Sequence, residues 1–249
     1  MKMKLLLTAA LGVAAGALLA GLMLTPAPAF AATGDILTNA ANMHNFATSA
    51  THDTKSDTTR RCDFCHFPHA DGTLLGAAGK TIALWNRKDP AGPFVPYGNP
   101  QNTINASNLD ATLGGQTLAC MSCHDGSLGL DELVVFPAVF PLGGKDILFT
   151  SGAGNVGPSG DYEVLIKGTA LLGKDLTYDH PVGMEMVLPA VDDGLKDRTT
   201  VPTGYLFGAT YEVECASCHN PHLYGAGDTL PFLRNTMADS ALCGVCHNK

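Results

Sequence analysis

The chain has 249 residues, 15 basic against 23 acidic side chains and a formal net charge of −8. That sign argues against nucleic acid as a partner and allows a basic partner or a solvated acidic surface. With 28 glycines, 15 prolines and only 7 % aromatic residues, the composition predicts a thin side-chain core and long irregular connections, with something other than side chains filling the interior.

In chain order, residues 1–31 read as an export signal. Lys2 and Lys4 give a charged start, Leu5 to Leu24 is apolar, and Ala29-Phe30-Ala31 is a small-x-small cleavage site. The competing reading keeps Leu5 to Leu24 as a membrane anchor, since it is about long enough to span a bilayer. Pro26 and Pro28 before Ala29 favour cleavage. No later stretch is long and apolar enough to cross a membrane. The mature chain is therefore expected to be exported, to periplasm or cell surface, without a stable span.

His44 follows, then a polar stretch in which His52 reads as a solvated loop residue. RCDFCHFPHAD, residues 61–71, holds Cys62, Cys65, His66 and His69. Trp85 is the sole tryptophan. Residues 89–108, DPAGPFVPYGNPQNTINASN, form a Pro-, Gly- and Asn-rich connection. CMSCH supplies Cys120, Cys123 and His124, and Leu133 to Phe136 has strand-like composition. SGAGNVGPSG, residues 151–160, is a loop and the best boundary between a first unit (32–150) and a second (151–249). His180 lies in YDHPVGMEM, and Tyr211 to Cys215 is again strand-like. ECASCHNPH contributes Cys215, Cys218, His219 and His222. Ser240 to His247, with Asp239 or Ser240 as N-cap, reads as a short helix carrying Cys243, Cys246 and His247.

All 8 cysteines fall in four Cys-x-x-Cys-His pentapeptides, the attachment signature of c-type haem. Two thiols add across the haem vinyl groups, and the histidine directly after lies under the macrocycle as an iron ligand. Disulfides give no reason for a histidine after each pair. Four identical zinc units would come with other ligand sets, and a thioredoxin-like motif appears once per domain. Four covalent haems are the cofactors expected. Trp85 then packs against porphyrin or closes a core edge, and Asp63 and Asp125, beside the motifs, are expected to be solvated.

Of the 9 histidines, His66, His124, His219 and His247 are proximal. With His52 in a polar loop, His44, His69, His180 and His222 are left, one per iron. This count points to bis-histidine ligation, and a doubly ligated iron exchanges electrons rather than activating small molecules. Methionine is the competing sixth ligand, with Met184 and Met186 close to His180. His69 cannot readily pass around the macrocycle held by His66, so it should serve another haem, and the same holds for His222 and His219. The simplest pairing within each half gives His69 to the His124 haem and His222 to the His247 haem. His44 and His180 then take those of His66 and His219.

The order free histidine, CxxCHxPH, CxxCH occurs twice, which makes the chain an internal repeat of two-haem units. The succession HNF, CDFCHFPHADG, LWNR, CMSCHDG, DHPVG, VECASCHNPH, FLRN and LCGVCHNK resembles the tetrahaem cytochromes with doubled CXXCH motifs, some of which polymerise into extracellular filaments. The resemblance implies a mostly irregular, loop-rich multihaem cytochrome c fold with a few short helices and minor strands, organised around four haems. It also implies bis-histidine irons, with His44 the candidate for donation to a neighbouring subunit. The function expected is electron transfer to redox partner proteins or an extracellular acceptor, with a homopolymer as one form of assembly. A multihaem reductase would need an open iron, and a quinol-oxidising tetrahaem subunit would need the 5–24 anchor.

Overall fold

The structure is a computed structural model. It describes residues 42–47, 50, 55–56, 59–68, 82, 84–97, 113–130, 132–134, 149–150, 165–166, 168–223 and 232–248. The expected export signal, the spacer around His52, His69, residues 98–108 and the 151–160 loop lie outside the described residues. The chain divides into units 1–33 and 34–249, and every described residue belongs to the second.

Regular structure is sparse, as the composition predicts. Strand β1 (Lys55–Ser56) pairs antiparallel with β2 (Phe149–Thr150), and β3 (Met184–Glu185) pairs antiparallel with β4 (Glu212–Val213). Helix α1 (Gly115–His124) carries the second CxxCH motif, and α2 (Cys215–Cys218) is a single turn of the third. The loops are held by short polar side chains that accept from a backbone N–H two residues on, a local substitute for helix and sheet ladders. Asn42 accepts from the His44 N–H at 2.8 Å, Asp125 from Ser127 at 2.8 Å, Asp197 from Thr199 at 2.9 Å and Asn220 from His222 at 3.0 Å. Two of these turns set the backbone of histidines expected to bind iron.

The C-terminal segment departs from expectation. Ser240 to His247 is not one helix but two separate 3₁₀ turns, Ala238–Ser240 and Cys243–Val245. Asp239 and Ser240 take left-handed φ values of 51° and 56°, which no helix N-cap adopts. The strand expected over Tyr211 to Cys215 shrinks to Glu212–Val213, because Tyr211 has φ 59°. Of the strand-like run from Leu133, Leu133 itself forms one bridge to Arg87, and residues 135–136 lie outside the described set.

The internal repeat is visible in backbone geometry. In the first half, the Phe67 N–H donates to Leu84 O and the Asn86 N–H to Cys65 O, with a bridge between His66 and Trp85. In the second, the Asn220 N–H donates to Phe232 O and the Arg234 N–H to Cys218 O, with a bridge between His219 and Leu233. Leu84 and Phe232, at matching positions, share the left-handed φ (59° and 66°) that folds each LWNR or FLRN segment onto its motif.

Apolar side chains gather in small clusters around α1. Phe46, Phe64, Leu130 and Leu133 pack with Cys65 and Cys123; Trp85 packs with Ala119, Leu118 and Cys65; Leu113, Met121 and Leu176 pack with Phe94 and Val182. Sulfurs of the attachment motifs thus border two of the clusters.

Candidate haem sites

A CxxCH pentapeptide in a helical turn puts residues i, i+3 and i+4 on one face. All four do this here. The His66, His219 and His247 N–H groups donate to the carbonyls of Cys62, Cys215 and Cys243 at 2.8, 3.0 and 2.9 Å, and the second motif lies within α1. All eight cysteines are free of disulfides.

The motifs abut at their sulfurs. Cys65 and Cys123 border one apolar cluster. Burial pushes the Cys65 thiol up to about 12, with Cys123 and Cys62 adding and the Arg87 cation opposing. Burial also raises Cys123, again against Arg87. Cys120 and Cys215 share a hydrogen bond, and the Cys215 N–H donates to Thr117 Oγ1 at 3.1 Å. Burial raises Cys218, with Cys246 the next contribution. The first motif therefore neighbours the second, the second the third, and the third the fourth.

The histidines meet in a pattern of their own. His44 lies against His124 with ring centres 6.2 Å apart, His222 against His66 at 6.2 Å, and His180 against His247 at 6.4 Å. A metal–imidazole bond is about 2 Å and the ring centre lies roughly 1 Å further, so two imidazoles on opposite sides of one metal have centres about 6 Å apart. Ordinary aromatic contacts span a similar range, so the composition of the pairs carries the argument. Each joins one proximal histidine to one of the histidines expected to be distal. Hydrogen bonds at Nδ1 favour Nε2 as the ligating atom. His124 Nδ1 meets Ala170 O at 2.7 Å, His180 Nδ1 meets Pro181 O at 3.0 Å and His222 Nδ1 meets Asn220 Oδ1 at 3.2 Å. Desolvation holds His222 below the ordinary imidazole range, with His66 and Arg234 adding, which favours the neutral form a metal needs.

These contacts differ from the pairing expected within each half. His222 lies against His66 of the first half rather than serving His247, His44 lies against His124 rather than His66, and His180 against His247 rather than His219. The inference that the last histidine of CxxCHxPH serves a different motif agrees with the position of His222. Met186 is buried at 2 % exposure, and its backbone bonds to Tyr211 O and Arg198. Trp85, 7 % exposed, closes a core edge and meets the His66 ring edge-on at 5.6 Å.

Asp63 and Asp125 are buried rather than solvated, at 7 % and 5 % exposure. Asp63 pairs with Arg60 Nε at 2.6 Å, and Asp125 accepts from the Ser127 N–H and hydroxyl. Sequence reasoning also gave no role to Arg87. Its guanidinium is 1 % exposed and donates to the carbonyls of Leu130 (2.9 Å), Ser122 (3.0 Å) and Gly129 (2.6 Å). Arg234, one position earlier in FLRN than Arg87 is in LWNR, donates to Ala216 O at 2.6 Å inside the third motif. The available signal was an arginine in each of LWNR and FLRN.

Residues 209–249 match the family model for the doubled CXXCH motif. The match covers the third and fourth attachment motifs and supports a multihaem c-type cytochrome with covalently bound haem. No curated protein matches the chain. Paired free thiols on one face of a turn, with a second imidazole opposite the proximal one, fit that group. Among the described residues no helix is long and apolar enough to cross a membrane.

Proposed function

We propose that the protein is an exported tetrahaem electron carrier whose irons each take two histidines. The observation that carries this reading is the set of three imidazole pairs, each joining a proximal to a non-proximal histidine at 6.2–6.4 Å. On it, Cys62 and Cys65, Cys120 and Cys123, Cys215 and Cys218, and Cys243 and Cys246 hold four haems. His44 completes the His124 site, His222 the His66 site and His180 the His247 site. His69, which lies outside the described residues, is left for the His219 site. A doubly ligated haem iron supplies one-electron exchange. The chain's own part is to fix neutral imidazoles by their Nδ1 contacts and to bring successive motifs together at Cys65/Cys123 and Cys120/Cys215.

The reductase reading requires an iron without a second protein ligand, and these pairs speak against it at three sites. The partners are then redox proteins or an extracellular acceptor. Self-assembly into a filament is compatible with the reading but not required by it, since His44 lies beside His124 of its own chain. The test is the exported protein itself. Intact mass should show four haems, and the oxidised protein should show only low-spin iron. Fewer haems, or a high-spin signal, overturns the proposal.

A further inference from the structure

Glu214 directly precedes the third motif and is 2 % exposed. Burying a carboxylate is costly unless donors surround it. Here its side chain accepts from the Thr117 N–H at 3.2 Å and from the Thr117 hydroxyl, while its backbone carbonyl accepts from the Ser217 N–H at 2.8 Å and Ser217 Oγ accepts from the Glu214 N–H at 2.9 Å. Thr117 is the third residue of α1 and Ser217 the third of α2. The carboxylate therefore caps α1 from a distant part of the chain, while the same residue's backbone opens the α2 turn. The fit leaves no room for a side chain opposite, because a Cβ on Gly114 would overlap Glu214 Oε1.

This anion lies where the second and third motifs abut. Thr117 Oγ1 joins Glu214 to the Cys215 N–H, and the Cys215 side chain lies against that of Cys120. The Glu214 charge is felt at the sulfur positions of both Cys120 and Cys215. The outer motifs have other neighbours. Arg87 acts on Cys65, the Arg60–Asp63 pair lies at the first motif, and Lys196 acts on Cys246. Arg87 also acts on Cys123, with Asp125 opposing it, and Arg234 reaches Ala216 of the third motif; Glu214 is the carboxylate held between the second and third motifs.

We propose that Glu214 is a redox-tuning residue that holds the haems of Cys120–His124 and Cys215–His219 at lower reduction potential than the two outer haems. Fixed negative charge opposes the arrival of an electron, more strongly where water is excluded. The inference rests on the four-haem reading above. The test is potentiometric titration of wild type, Glu214→Gln and Glu214→Asp proteins, each first checked for four haems and low-spin iron. In wild type two haems should titrate below the other two. Gln should shift that pair upward and leave the outer pair in place, and Asp should stay near wild type. A helix-capping role alone would alter thermal stability but not this selective shift. Unchanged potentials in the Gln variant, or a wild-type curve with one common potential, overturn the inference, whereas a wrong haem count overturns the four-haem reading instead.

Discussion

Arg87 shows how one residue can organise two attachment sites. A guanidinium has five donors in a planar fork, and here the fork draws three carbonyls and the Ser122 hydroxyl onto it. These acceptors come from the second motif and the turn after α1, while the Arg87 backbone bridges to Leu133. Removing the head group leaves buried carbonyls without donors, each a loss of about 1–3 kcal/mol. Arg87→Met should therefore lower stability by about 2–5 kcal/mol, read as a fall in thermal midpoint. Arg87→Lys should recover little, because an ammonium cannot span the same acceptors. A Lys variant as stable as wild type would show that charge, not the fork, is what this position supplies.

Among the elements, α1 is set by tertiary contact more than by its own sequence. GQTLACMSCH begins with glycine and includes Thr117, Cys120, Ser122 and Cys123, weak helix formers that hide the helix from pattern reading. Its N-terminus is capped by Glu214 from 97 residues away, a contact no local window contains. The same junction brings the Glu214 carboxylate into the space a Gly114 side chain would occupy. Gly114→Ala should cost about 2–4 kcal/mol by driving a Cβ into the Glu214 carboxylate. Gly244→Ala, whose Cβ would meet nothing within 4 Å, should stay within about 0.5 kcal/mol of wild type. Chemical denaturation of the two variants separates them, and equal losses would contradict the packing described for Gly114. At the C-terminus the converse error arises: Ser240 to His247 looks helical by composition, but Asp239 and Ser240 turn left-handed and split it. Asp63 and Asp125 read as solvated because their side chains are charged, yet Arg60 and Ser127 satisfy them in place of water.

At the scale of the whole molecule, the attachment chemistry was legible because it is written in contiguous pentapeptides, and the loop-rich architecture followed from glycine, proline and few aromatics. The choice of partner for each histidine was not legible. His66 and His222 belong to opposite ends of the repeat, and only the fold decides that they meet. Their contact turns the CxxCHxPH segment of the second half into a clasp on the first half. One substitution tests this crossing. His222→Ala should convert one of the four irons to high spin, seen by electron paramagnetic resonance of the oxidised protein. The same substitution in a Cys62→Ser/Cys65→Ser background, which lacks the first haem, should add no high-spin signal. A high-spin iron appearing in that background would place His222 on another haem and contradict the pairing.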